Sequence, residues 1–430
     1  MRKEALFPFL LIVLFIAGLR ACHPEVSEKD LEPRAMAVHD RILSVDTHCD
    51  TVSHLLDKNW DIGTRHKPGK KGSGQIDLPR MAEGRLDAQF FAVFVGQGQL
   101  TEDGYAKARA KALEEVEAIR TMCQRYPSLV GLAMSPEDAY RLKTEGKRAA
   151  FIGMENGYPL DRNIASLEEF YSLGVRYVTL CHSWDNDICD SSTDRRNPED
   201  KGLSDFGREV ISACNRLGMM VDVSHISDKS FFDVLDATQA PVMASHSSCR
   251  ALCDNPRNLS DEMLRALRAN GGVIQVCFVS EYLRKPKPNP ERDKARQELE
   301  ARFGSWRDIK DEAARKSIWQ EIEEFEEKFP REKATVKDVV DHIDHVVKVA
   351  GVDCVGIGTD FDGGGEVEGC NDVSQIFRIT EELLRRGYTE EDISKIWGGN
   401  IMRVFSKVIE VSKGGQDGFN SQEYGKEGGD

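Results

Sequence analysis

Eight short apolar, β-branched runs recur between Ile42 and Thr359, each followed by a longer stretch of helical pattern. They are Ile42–Asp46, Ala88–Val95, Ala149–Met154, Val175–Leu180, Met219–Ser224, Pro241–Ser245, Gly272–Cys277 and Cys354–Thr359. Segments such as Tyr105–Arg125, Ser204–Leu217, Ser227–Ala237 and Ser260–Ala269 read as the helices between them. Strands apolar on both faces belong to a parallel sheet covered by helices. Eight such units predict an α/β fold, a (β/α)8 TIM-type barrel, with a doubly wound open sheet as the alternative. One segment breaks the rhythm. Residues 283–335 are Pro-punctuated ("KPKPNPE") and then charged ("WQEIEEFEEKFP"). They predict a helical insertion after strand seven, either over the rim of the site or as a solvated helix.

The ends carry different signals. Arg2 and Lys3 precede the apolar run "ALFPFLLIVLFIAGL", which is short and broken by Pro8 and Gly18. A basic start and an apolar middle predict an export signal over residues 1–21. "GLRAC" resembles a bacterial lipoprotein signal, which makes Cys22 the expected lipidated residue and the cell envelope the expected location, in the periplasm or at the surface. Residues 22–40 are then a tether, 41–410 the barrel, and the Gly-rich 411–430 a disordered tail. A formal charge of −15 argues against nucleic acid and anionic membrane surfaces as partners. The eleven cysteines form no C-x-x-C pair and several lie in apolar runs, so buried free thiols are expected for most.

The chemistry sits at the strand ends. His48 and Asp50 follow strand one in "SVDTHCDT", and in extended chain they project to the same side. Glu155 follows strand three ("GMENG"), His182 strand four, His225 strand five, His246 strand six and Asp360 strand eight ("GIGTDFDG"). Each alone has a plainer reading as a turn, cap or hydrogen-bonded loop residue. In a barrel, however, these ends converge on one face, and the residue types suit zinc or another borderline divalent ion. No G-x-S-x-G elbow, phosphate loop or H-E-x-x-H helix competes. Cys49, Cys181 and Cys249 lie near the site without an activating partner and read as packing residues.

Together, "DTHCDT", "GMENG", "VRYVTLCHSWDN", "MVDVSHIS", "PVMASHSSCRALCDNPRNLSDE", "DHIDHVVKVAG" and "GIGTDFDG" occur in one order from about Arg41 to Ile409. This pattern resembles the membrane dipeptidase (renal dipeptidase) family of zinc peptidases, as a bacterial exported member. The resemblance implies a (β/α)8 barrel and two zinc ions: His48 and Asp50 on the first, His225 and His246 on the second, Glu155 bridging. It implies that His182 stabilises the developing oxyanion and also contacts substrate, that Asp360 shuttles a proton, and that Arg257 clamps the substrate carboxylate. Dipeptides, including those with a C-terminal D-residue, are the implied substrates, and a homodimer is the common assembly of such proteins. Some relatives carry a tyrosine where this chain has Val279, with Tyr282 close by. Two rivals remain. A binuclear amidohydrolase or lactonase on the same barrel commonly uses His-x-His and a modified lysine, where this chain has Asp50 and Glu155. A lipid-anchored, non-catalytic binding protein would not need every role filled.

Overall fold

The computed structural model describes residues 28–423, apart from 70–71, 198, 304–317, 319–320, 323 and 331. The expected export signal, Cys22 and residues 424–430 lie outside the described residues. Nine parallel strands form the sheet: β1 Val45–Cys49, β2 Ala88–Phe94, β3 Val130–Leu132, β4 Arg148–Glu155, β5 Val175–Thr179, β6 Met220–Asp222, β7 Met243–Ser247, β8 Val273–Val276 and β9 Val355–Ile357. Eight run in the order β1-β2-β4-β5-β6-β7-β8-β9, and the three-residue β3 pairs with β4 outside that path.

The ring closes where its first and last strands meet. Asp50 N–H donates to Phe361 O at 2.8 Å, and Asp360 N–H donates to His48 O at 3.1 Å. Below them the buried Asp46 carboxylate accepts from the Thr359 amide at 2.8 Å and its hydroxyl at 2.6 Å. The (β/α)8 barrel is therefore as the alternation of apolar runs predicts.

Both faces of the strands are buried, which is why they read as unbroken apolar runs rather than alternating ones. Phe90 and Phe151 point to the barrel interior, where Phe405, Ile401 and Val408 of the helix Asn400–Glu423 pack against them. Phe91 and Ile152, one residue on, face the surrounding helices. Three of those helices begin one residue after the serine that the periodicity marks as their start. Ser204, Ser227 and Ser260 are N-caps whose hydroxyls accept from the backbone N–H groups of Gly207, Ser230 and Met263.

Two boundaries need correction. The expected tether over 22–40 is, from Glu28, a helix reaching Arg41. Leu31, Ala35, Val38 and His39 are buried, and the helix packs on Phe377–Arg385. Their helical spacing is a docking face, which polar neighbours hide in a composition-based reading. The expected disordered tail over 411–430 also starts too early: the last helix runs to Glu423, and Ser412 is buried beside Gly218.

The described part of the insertion is helical and mostly exposed, with a few side chains buried. It includes Pro290–Phe303, with Leu299, Ile318 and Phe325 buried. The Arg292 guanidinium lies 4.7 Å over the Phe325 ring and 2.6 Å from Glu326. Among the described residues no helix is long and apolar enough to cross a membrane.

Candidate active site

The carboxyl ends of the strands surround a cavity of about 430 Å³. His48 lies inside β1 and His246 inside β7; Glu155 ends β4. His182, His225 and Asp360 each stand three residues past a strand, after β5, β6 and β9. All seven strand-end residues singled out in the sequence belong to this one site, with Arg257 on its wall.

Glu155 is the centre. Its Oε2 lies 3.4 Å from His48 Nε2. Its Oε1 lies 3.1 Å from His225 Nε2, 3.4 Å from His246 Nε2 and 3.6 Å from His182 Nε2. One carboxylate thus presents one oxygen to each half of the site. On the His48 side, Asp50 Oδ2 is 3.7 Å from His48 Nε2, and Asp360 completes a group of three.

The imidazoles are set by what holds their other nitrogen. His48 Nδ1 meets the Tyr177 hydroxyl at 2.8 Å, and His246 Nδ1 meets Ser245 Oγ at 2.8 Å, which donates to Asp222 at 2.6 Å. Such contacts fix ring orientation and leave Nε2 facing the site. Tyr177 can reach His48 because residue 153 in "GMENG" is glycine: a Cβ there would lie 2.0 Å from the Tyr177 ring.

The donor set fits divalent cations. His48 Nε2 is buried and makes no hydrogen bond, although carboxylates face it. His225 Nε2 and His246 Nε2 point at each other 2.8 Å apart. Burial, helped by Arg257 and His182 at His225 and by His48 and Arg257 at His246, holds both pKa values well below the usual histidine value, so their lone pairs are free. Burial opposes ionisation of Glu155, but His48 and His182 outweigh it and hold it well below the carboxylate range. Burial likewise disfavours charge on His48, yet Tyr177, Glu155 and Asp50 hold its pKa well above its usual value: this pocket draws positive charge. Gly363 gives the sharpest fit. A Cβ on it would sit 2.1 Å from Asp50 Oδ2 and 2.2 Å from Asp360 Oδ1, so only glycine lets these carboxylates lie together. Burial and then Asp50 push the Asp360 pKa well above the usual value.

His225 and Asp360 both adopt left-handed backbone, with φ of 72° and 61°. Non-glycine residues hold that conformation at some energetic cost, about 1 kcal/mol or more, and such residues cluster where function requires an aimed side chain.

Arg257 is buried beside His246, donating to its carbonyl at 3.1 Å, while its Nε has no partner. Its guanidinium carbon lies 5.3 Å from the centre of the Tyr282 ring. Tyr282 and Val279, just before the insertion, both line the cavity. Cys49 and Cys277 are buried thiols whose pKa values burial raises well above normal, which keeps them unreactive. All ten described cysteines are free and buried, as their apolar surroundings predict.

Comparison with known proteins agrees with this geometry. The sequence pattern of the family described as "Membrane dipeptidase (Peptidase family M19)" matches residues 32–417. Dipeptidase 3 of Rattus norvegicus is 34% identical over 397 residues, 90% of this chain and 69% of its own length. Dipeptidase tcpJ of Claviceps purpurea is 32% identical over 374 residues, 85% of this chain and 77% of its own. The crystal structure of the probable dipeptidase PvdM from Pseudomonas aeruginosa superposes with a TM-score of 0.78 at 34% identity, covering 89% of this chain and 99% of that one. A family pattern over nearly the whole barrel, on a site of converging imidazoles and carboxylates, makes the chain a hydrolase and metallopeptidase of the membrane dipeptidase family, M19.

Proposed function

We propose that this protein hydrolyses the peptide bond of dipeptides, including those ending in a D-residue, with two zinc ions bridged by Glu155. The observation that carries the reading is the division of Glu155, one oxygen toward His48 and the other toward His225 and His246. His48 and Asp50 would hold one ion, His225 and His246 the other. Bound there, the ions supply Lewis acidity and a water acidified toward neutral pH.

The chain's own residues do the rest. Arg257, buried with Nε unpartnered, grips the substrate carboxylate, for which its planar fork is suited. A carboxylate required at that place restricts substrates to those ending one residue past the scissile bond. His182 hydrogen-bonds to the oxygen on which charge develops. Asp360, whose raised pKa suits it to hold a proton, passes one to the leaving amine. The amidohydrolase and lactonase reading has no comparable need for a buried arginine whose Nε is left unpartnered.

Metal analysis with turnover tests the reading. Purified protein should carry close to two zinc per chain and cleave Ala-Ala and Ala-D-Ala, with the C-terminal amides much poorer. Absence of metal, or equal rates on acid and amide, rejects it. Export and lipidation at Cys22 form a separate proposal, supported by the residues before it. Cys22→Ala should move the protein from the membrane fraction to the soluble one, and an unchanged distribution rejects the anchor.

A further inference from the structure

The cavity holds a carboxylate that the proposed reaction does not use. Glu115 lies on the helix Glu102–Arg125, which follows β2, and it lines the cavity together with Asp50 and Phe94. It is only 5% exposed. Lys111 stands 3.6 Å from its Oε1, while its Oε2 is buried without a hydrogen-bonding partner. Burial lifts its pKa to about 7, against the pull of Lys111 and the Phe94 N–H. A buried acceptor left without a donor is destabilising. Packing does not account for Glu115, because an apolar residue would fill the same space without that cost.

The strand order gives this carboxyl group a direction. β2 and β7 are four places apart in a ring of eight, on opposite walls. Arg257 belongs to the wall after β7, and Glu115 to the wall after β2. With the substrate carboxylate on Arg257, as the dipeptidase reading has it, the amino-terminal residue extends toward Glu115. Val52, Ala92 and Phe94 line the cavity with it and offer an apolar surface to methylene groups.

We propose that Glu115 selects the amino-terminal residue of the substrate, so that the enzyme prefers dipeptides whose first side chain ends in an ammonium group donating to Oε2. This inference rests on the dipeptidase reading and adds a substrate class to it. The methylenes of such a side chain lie along Phe94 and Ala92, and its charge meets the one carboxyl oxygen Lys111 leaves unpaired.

The test compares kcat/KM for Lys-Ala, norleucyl-Ala and Ala-Ala in the zinc-loaded full chain. Wild type should favour Lys-Ala over norleucyl-Ala by about tenfold or more, the scale of one hydrogen bond to a charged group. Glu115→Gln should remove most of that ratio through KM, and Lys111→Met should enlarge it. Glu115→Met, also free of charge, should lose the ratio too and serves if the glutamine variant fails to fold. A wild-type ratio near one, or a ratio untouched by Glu115→Gln and Glu115→Met, overturns the assignment. Equal losses on all three substrates also overturn it, by putting the α-ammonium on Glu115. Wild-type enzyme that cleaves none of the three overturns the dipeptidase reading and this inference with it.

Discussion

Asp50 and Asp360 share a space that exists only because residue 363 lacks a side chain. Gly363→Ala should therefore cost both metal and rate: the added methyl displaces one carboxylate, and zinc content falls together with kcat. Asp360→Asn separates the two effects, keeping zinc while kcat drops by about 100-fold or more, the scale of general acid–base catalysis. Loss of zinc in Asp360→Asn would make it a ligand instead. Arg257→Ala should act mainly on KM, raising it by about 30-fold or more, because a bidentate charged contact contributes on the order of 2–3 kcal/mol. At this scale much of the site was legible: His48, Asp50, Glu155, His182, His225, His246 and Asp360 announce themselves as polar residues ending apolar runs. Tyr177, Asp222 and Glu115 do not. Tyr177 is one apolar letter in a strand, and Glu115 is one acid among several on a charged helix. Only the fold shows that the first touches His48 and the second reaches the cavity.

The helix Glu28–Arg41 shows what reading by composition misses. Its four inward residues are spaced among charged ones, and the segment passes for a polar leader until the barrel supplies the surface it covers. A docked helix predicts that Leu31→Ala lowers unfolding free energy by about 2–4 kcal/mol in urea titration; a true tether would show no change. The same helix carries a pH dependence. His39 Nε2 lies 2.8 Å from Thr380 Oγ1, which also accepts from Trp397, and Nδ1 lies 3.2 Å from Arg85 O. Burial lowers the His39 pKa to about 4, from 6.5 in the open chain. The unfolded chain thus binds the extra proton first, and stability present above pH 6.5 is lost as pH falls toward 4. His39→Gln should flatten that loss, by about 2–3 kcal/mol across the window, when urea unfolding is followed at a series of pH values. Strand β3 escaped notice for a simpler reason: at three residues, only one of them buried, it has too little pattern to read.

For the whole molecule, the barrel was legible because parallel strands buried on both faces leave a dense apolar signature. Its closure was not, since Asp46 and Thr359 are more than 300 residues apart. Three carboxylates, of Asp50, Glu155 and Asp360, stand packed at one end of that barrel, an arrangement for a cation that only the folded chain presents. Chelation should lower the melting temperature, and zinc should restore it saturably, with about 2.7 kcal/mol recovered at 100 times the dissociation constant. A melting temperature indifferent to chelator would mean the cluster holds no ion. The seam between β1 and β9 also sets a timetable. Because Asp360 N–H bonds to His48 O, the first ligand strand pairs early with β2 but lacks its second neighbour until the last strand has been made. The ring around this centre therefore closes only once Asp360 has been made, late in the chain, in whichever compartment the barrel first folds. The metal found in the mature enzyme then reports on the ions of that compartment as much as on the preference of its ligands.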